Sequence, residues 1–345
     1  MAMRRTLRLV GFLATTWVAF VGAYMPADAA SPLSAAAAAN HPAEVAIADS
    51  RRMTFTSSVN GHRYAIDVAL PDVPPPPKGY PVIYVLDGNA YFASMAEATR
   101  VIGNAPQAIV VGIGYPHDPA WVARVFAKHR PLPALFATFP PFDAAVELER
   151  MVDLGLPLSE AQRGEIAARG VPLAASDVGG MDDFLKVIET DVKPRVHALA
   201  PVDRSNQTLF GHSLGGLAVL EALFSEPGAF RTFVAASPSI WWGDGEVLLK
   251  EKSFSDRVSA GAIVPRVLIT VGGEEDSVAT LAPKLAAEIR KLHMVENACG
   301  LARRLKALHG ARGYEVADCA IFPMQGHNIS AWPAMGRAVS FAFPQ

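Results

Sequence analysis

Residues 206–220 read Asn-Gln-Thr-Leu-Phe-Gly-His-Ser-Leu-Gly-Gly-Leu-Ala-Val-Leu, with Gly211-His212-Ser213-Leu214-Gly215 at the centre. A short β-prone run at 207–210 leads into Gly-x-Ser-x-Gly, and 217–224 continues as an apolar helix. The five-residue pattern alone recurs by chance in roughly one chain in ten of this length. A strand before it and a helix after it are what a nucleophile elbow requires. The turn is so tight that a Cβ beside the serine would strike the neighbouring strand or helix, so glycines flank it. The Ser213 hydroxyl is then expected above the carboxyl edge of a parallel sheet, where a helix N-terminus favours developing negative charge.

A serine hydroxyl is a weak nucleophile until a base takes its proton and a third group orients that base. His327, in Gly326-His327-Asn328 after the last strand-like run, is the expected base. The other histidines lie in the elbow, in a predicted helix, in the 116–179 stretch or away from any strand end. The acid should follow the run 267–271, which passes into Gly272-Gly273-Glu274-Glu275-Asp276. Glu275 fits Gly-x-x-Glu and Asp276 fits Gly-x-x-Asp, so both remain candidates. A tetrahedral oxyanion needs two backbone N–H donors. Leu214, after the serine, should supply one, and Gly88 or Asn89, after the strand ending at Leu86, the other. Asp87 reads as a turn former.

Around these motifs, apolar runs at 80–86, 108–113, 232–236 and 267–271 read as strands buried on both faces. The run 64–70 alternates as a half-exposed strand, and 314–322 supplies the last one. Helical patterns over 90–102, 181–199 and 282–308 alternate with them, the last interrupted near Asn297 or Gly300. The expectation is an α/β fold, its central sheet mainly parallel, with helices on both faces. Residues 116–179, rich in proline and aromatics, break this rhythm and read as a lid-like insertion. Candidate substrate contacts are Trp241 and Trp242, His212 within the elbow, and Arg124 in a basic cluster of the insertion.

The chain has 345 residues, 51% of them hydrophobic, and a net charge of −2. With no basic excess, nucleic acid is not an expected partner. Residues 1–29 have a basic start, a long apolar run and Ala27-Asp28-Ala29, and read as a cleaved export signal. Residues 30–50 then form a linker, and 51–345 one catalytic domain with no stable membrane span. Export predicts a periplasmic or secreted protein, in which Cys299 and Cys319 either form one disulfide or pack as thiols. Nothing in the sequence sets an oligomeric state.

Four motifs in order carry a resemblance: Tyr-Pro-Val-Ile-Tyr-Val-Leu-Asp-Gly-Asn at 80–89, Val-Val-Gly-Ile-Gly-Tyr at 110–115, Gly-His-Ser-Leu-Gly-Gly at 211–216 and Ser-Pro-Ser-Ile-Trp-Trp at 237–242. Together they resemble the esterase D-like branch of α/β-hydrolases, close to the enterochelin and salmochelin esterases of the Fes and IroE type. The resemblance implies an α/β-hydrolase fold and carboxylic ester hydrolysis through an acyl-enzyme, with neither metal nor cofactor. It implies Ser213 as nucleophile, His327 as base, Asp87-Gly88-Asn89 as the oxyanion loop and an ester-linked siderophore as the substrate. Fes-type relatives favour Glu275 as acid and the wider hydrolase pattern favours Asp276, while some relatives work with a Ser–His pair alone. The long insertion departs from the family pattern. An acyltransferase using the same machinery and an inactive ligand-binding protein are the competing readings.

Overall fold

Valine, isoleucine and aromatic side chains, which fit a pleated surface covered on both sides, build the centre of the molecule. Every residue of β3 (Tyr80–Val85), β4 (Ile109–Gly114) and β6 (Thr232–Ala236) is buried. The computed structural model describes residues 46–344 except 102–106, 130–131, 133–135, 169–171, 278–286 and 288. The expected signal at 1–29 and most of the 30–50 linker lie outside the described residues. Among the described residues no helix is long and apolar enough to cross a membrane.

The described strands form one sheet in the order β1-β2-β4-β3-β5-β6-β7-β8, with β9 also paired to β7. The further strands are β1 (Ser50–Thr56), β2 (Arg63–Ala69), β5 (Val202–His212), β7 (Arg266–Gly272), β8 (Glu315–Val316) and β9 (Ala320–Phe322). β1–β2 and β2–β4 pair antiparallel at one edge, and the remaining pairings are parallel. β3 has β4 on one side and β5 on the other, so the strand order reverses there. The crevice beyond the carboxyl ends of β3 and β5 is where an open α/β sheet binds ligands.

Alternation along the strands sends side chains to two cores. Ile83, Val85, Phe210 and Leu268 meet α1 (Gly88–Val101) and the C-terminal helix (Ala331–Ala342) on one face. Val82, Tyr84, Leu209 and Phe233 meet the larger core on the other face. The proline-rich stretch read as a lid-like excursion contributes to that larger core. Its helices α2 (Pro119–Lys128) and α3 (Pro141–Leu154) bury Trp121, Val125, Ala145 and Leu148, and α4 (Glu160–Ala168) packs half-buried Ile166 against the same core.

The helical run 181–199 is α5 (Met181–Val187) and α6 (Lys193–Leu199), joined by a π-helical turn at Ile188–Val192. Pro194 has no N–H to continue the ladder, which accounts for the wider turn. α7 (Leu214–Ser225) follows the elbow, and α8 (Glu251–Ser259) follows β6 after an irregular turn. The expected break near Asn297 or Gly300 is absent. α9 (Met294–Lys306) runs through both, and begins after His293 at φ 48°. The C-terminal helix (Ala331–Ala342) is α10.

The expected last strand at 314–322 is two short pieces, β8 and β9, separated at 317–319. Cys319 in that gap is bonded to Cys299 of α9, with Cα atoms 5.1 Å apart. In the chain-entropy model the bridge contributes about 3 kcal/mol. Cys319→Ala should therefore lower the urea midpoint of the oxidised protein by a matching amount. An unchanged midpoint would show that the bridge constrains nothing.

Candidate active site

β5 ends in Gly211-His212, and Ser213 follows at φ 61°, ψ −118° before α7 begins. A Cβ on Gly211 would stand 2.2 Å from the carbonyl oxygen of Gly215, the collision expected from the motif. Ser213 Oγ emerges from this turn 2.9 Å from His327 Nε2. His327 lies in the loop between β9 and α10, and its Nδ1 stands 2.7 Å from Glu275 Oε2. Glu275 is in the loop after β7, with its side chain wholly shielded from solvent. The order along these bonds is hydroxyl, imidazole, carboxylate.

Burial alone would raise the Glu275 pKa, but hydrogen bonds from His327, the Ser237 hydroxyl and the Gly272 N–H outweigh it and hold the carboxyl below its usual range. Oε1 accepts from Ser237 Oγ at 2.5 Å, Gly272 N–H at 2.6 Å and Ser330 Oγ at 3.2 Å. These donors occupy one carboxylate oxygen and leave the other for the imidazole. A carboxylate only accepts, so Nδ1 of His327 carries the proton and Nε2 is free to accept from the serine.

His212 supports the loop that bears His327. Its Nε2 donates to the His327 carbonyl oxygen at 2.8 Å, and its Nδ1 accepts from the Tyr91 hydroxyl at 3.2 Å. Burial, and then the neighbouring His327, push its pKa down to about 3. An unfolded histidine binds a proton below about pH 6.5, whereas the folded one stays neutral, so stability falls as pH drops from there toward 3. The slope is about 1.4 kcal/mol per pH unit. Urea unfolding at pH 7 and pH 5 should show wild type losing roughly 2 kcal/mol more than His212→Gln. Equal losses would mean that His212 is not held neutral.

Across the crevice, Asp87 (φ 54°) turns the chain from β3 into α1. Gly88 and Asn89 are the first residues of α1, and Leu214 is the first of α7. N–H groups at these positions have no acceptor within their own helix. Gly88 is required by packing. A Cβ there would stand 2.5 Å from the Gly112 carbonyl carbon, so the constraint comes from β4. Asn89 bonds both backbone groups of Tyr115, accepting from its N–H at 2.7 Å and donating to its carbonyl oxygen at 2.9 Å. Asp87 receives two bonds from Arg150 of α3, at 3.0 and 2.9 Å. Burial would lower the Arg150 pKa, but Asp87 and Glu147 raise it well above the usual value, so the guanidinium keeps its charge.

Ser213, His327, Glu275, Leu214, Gly88 and Asn89 thus gather beyond the carboxyl ends of β3, β5, β7 and β9, and the five other candidates have different surroundings. Asp276 caps α9, accepting from the N–H groups of Met294 and Val295 at 2.8 and 3.0 Å. Trp242 is buried in the larger core and donates to the Leu156 carbonyl oxygen at 2.9 Å. Trp241 packs half-buried against that core, and Arg124 is exposed on α2. His212 is a buried support, where a substrate contact was expected.

Sequence reasoning missed Ser237, Ser330, Tyr91 and Arg150. It also missed Ser239, whose hydroxyl is 3.4 Å from Ser213 Oγ and whose N–H bonds the Ser213 carbonyl oxygen at 3.1 Å. Ser237 and Ser239 stood in the Ser-Pro-Ser motif, a signal that marked the place without the role. Among the described residues no group of three or more histidine, cysteine, aspartate or glutamate side chains is arranged to hold a metal ion.

Comparisons with known proteins place the chain in a family. Residues 142–332 match the model of the esterase family. The chain is 34% identical over 294 residues to the ferri-bacillibactin esterase BesA of Bacillus subtilis, covering 83% of this chain and 87% of that protein. It is 30% identical over 246 residues to a siderophore triacetylfusarinine C esterase of Aspergillus fumigatus, covering 66% of this chain and 72% of that one. Among solved structures, the BES protein of Bacillus cereus superposes with a TM-score of 0.69 at 26% identity, over 89% of this chain and all of that one (100%). A fold with its crevice beside a strand–serine–helix turn, joined to identity of this extent, assigns the chain to the esterase family of α/β-hydrolases, whose reaction is the hydrolysis of carboxylic esters.

Proposed function

We propose that this protein hydrolyses the ester bonds of an ester-linked siderophore through an acyl-enzyme formed on Ser213. The observation that carries the mechanism is the unbroken chain Ser213 Oγ–His327 Nε2 and His327 Nδ1–Glu275 Oε2, at 2.9 and 2.7 Å. His327 removes the hydroxyl proton as Ser213 Oγ attacks the ester carbonyl carbon. Glu275 steadies the imidazolium that results. Charge gathering on the carbonyl oxygen is received by the N–H of Leu214 and that of Gly88 or Asn89. Collapse of the tetrahedral intermediate breaks the C–O bond, and the leaving alcohol takes its proton from His327. Water, activated by the same imidazole, then releases the acid and restores Ser213.

The substrate class rests on the relatives, several of which carry siderophore esterase names. The apolar start of the sequence supports an exported, periplasmic or secreted enzyme whose catalytic domain follows residue 50. The test combines a fluorophosphonate probe with a substrate panel: p-nitrophenyl esters of graded length, feruloyl esters and the ferric and iron-free forms of enterobactin. Stoichiometric labelling of Ser213, with kcat/KM highest for the siderophore, is the expected result. Preference for a simple ester overturns the substrate class. An unlabelled Ser213 overturns the mechanism, and ester exchange with an added alcohol outpacing hydrolysis makes the enzyme a transferase.

A further inference from the structure

Arg150 comes from the stretch that broke the strand–helix rhythm, yet it reaches the loop beside the nucleophile. Its Nε and Nη2 meet the two oxygens of Asp87 at 3.0 and 2.9 Å, a fork that fixes both the place and the plane of the carboxylate. The third arm, Nη1, bonds Glu147 Oε2 at 3.3 Å. Arg150 and Asp87 are 8% and 7% exposed, so the pair is sealed from solvent. Each of its three nitrogens bonds a carboxylate of the protein, so the charge of Arg150 is matched internally by Asp87 and Glu147.

Asp87 is where this matters. Its backbone is in the left-handed region at φ 54°, and its carbonyl oxygen accepts the N–H groups of Ala90 and Tyr91 to start α1. The next two residues, Gly88 and Asn89, offer their own N–H groups toward the crevice under the mechanism above. Asp87 Oδ2 also lies only 3.2 Å from where a Cβ on Gly215 would stand, so the carboxylate rests against the start of α7, next to Leu214. One side of the loop is tied down through Asn89 and Tyr115, and the other through Asp87 and Arg150.

We infer that Arg150 is a positioning residue for catalysis: by clamping Asp87 it sets the oxyanion loop, and with it the donors that receive the carbonyl oxygen in the transition state. This rests on the proposed serine mechanism. Loss of one oxyanion donor costs about 10²- to 10³-fold in kcat, and a donor displaced by a fraction of an ångström retains part of its effect. The expected loss on removing the clamp is about 10- to 100-fold in kcat.

The test uses Arg150→Met, Arg150→Lys, Asp87→Asn and the double variant Asp87→Asn/Arg150→Met. Substrates are a small uncharged ester and its thionoester, in which sulfur replaces the carbonyl oxygen. Wild type should prefer the oxygen ester strongly, because hydrogen bonds to a developing thiolate are weaker. Arg150→Met should lose kcat with KM within about threefold, and its oxygen-over-sulfur preference should shrink in step. The double variant should be no worse than the poorer single one, since the two groups act as a unit. Lysine keeps the charge but not the fork, so Arg150→Lys should share the defect, and it carries the test if the methionine variant does not fold. Full labelling of Ser213 by the fluorophosphonate probe, however slow, certifies a folded site. The inference is overturned if both Arg150 variants keep kcat and the oxygen-over-sulfur preference within threefold of wild type. It is equally overturned if the loss lies in KM alone, with kcat and the oxygen-over-sulfur preference unchanged. Failure of wild type itself to label would instead sink the underlying mechanism.

Discussion

Ser213→Ala should lower kcat for a small carboxylic ester by about 10⁴- to 10⁶-fold while leaving the protein folded. The change removes one oxygen atom. Alanine meets the same backbone demand at φ 61° that serine does, and the flanking glycines keep the turn. What remains is the oxyanion site and the imidazole, which still accelerate hydrolysis over water by a residual factor. Steady-state kinetics on p-nitrophenyl acetate, with the urea midpoint measured alongside, make the check. Activity within tenfold of wild type in a folded variant would remove Ser213 from the mechanism.

The next largest effect separates two neighbouring acids. Glu275→Gln should cost about 10³- to 10⁴-fold in kcat. The neutral amide cannot stabilise the imidazolium, and if its NH₂ group faces Nδ1 it selects the wrong tautomer of His327, leaving Nε2 protonated and unable to accept from Ser213. Asp276→Asn should leave kcat within a few-fold. It weakens a cap, because the carboxylate accepts with both oxygens and the amide keeps only one acceptor and no negative charge, a loss of about 1–2 kcal/mol. Kinetics and urea unfolding on both variants should therefore give opposite profiles, one catalytic and one structural. If both variants keep near-wild-type kcat/KM, the enzyme works with Ser213 and His327 alone.

The strands and the elbow were legible because their causes are local. Buried parallel strands read as unbroken apolar runs, and Gly-x-Ser-x-Gly encodes a collision between backbone atoms four residues apart. The choice between Glu275 and Asp276 was not legible. Adjacent side chains in an irregular loop leave in different directions, and the direction depends on where β9 and α9 lie, which no local pattern states. Arg150 was hidden for the same reason. Its partner is 63 residues away in sequence, and only the packing of α3 on the larger core brings them together. Trp242 shows the converse, since an aromatic pair near the active face is equally compatible with core filling, which is where the structure puts it.

The elbow also bears on how this chain balances durability against turnover. A residue other than glycine held at φ 61°, ψ −118° carries about 1–3 kcal/mol that the surrounding structure must over-determine. Glycine would sit there without that load and without chemistry. Selection for thermal endurance alone therefore pushes against the one hydroxyl the reaction needs, and the most robust version of this fold is not the active one.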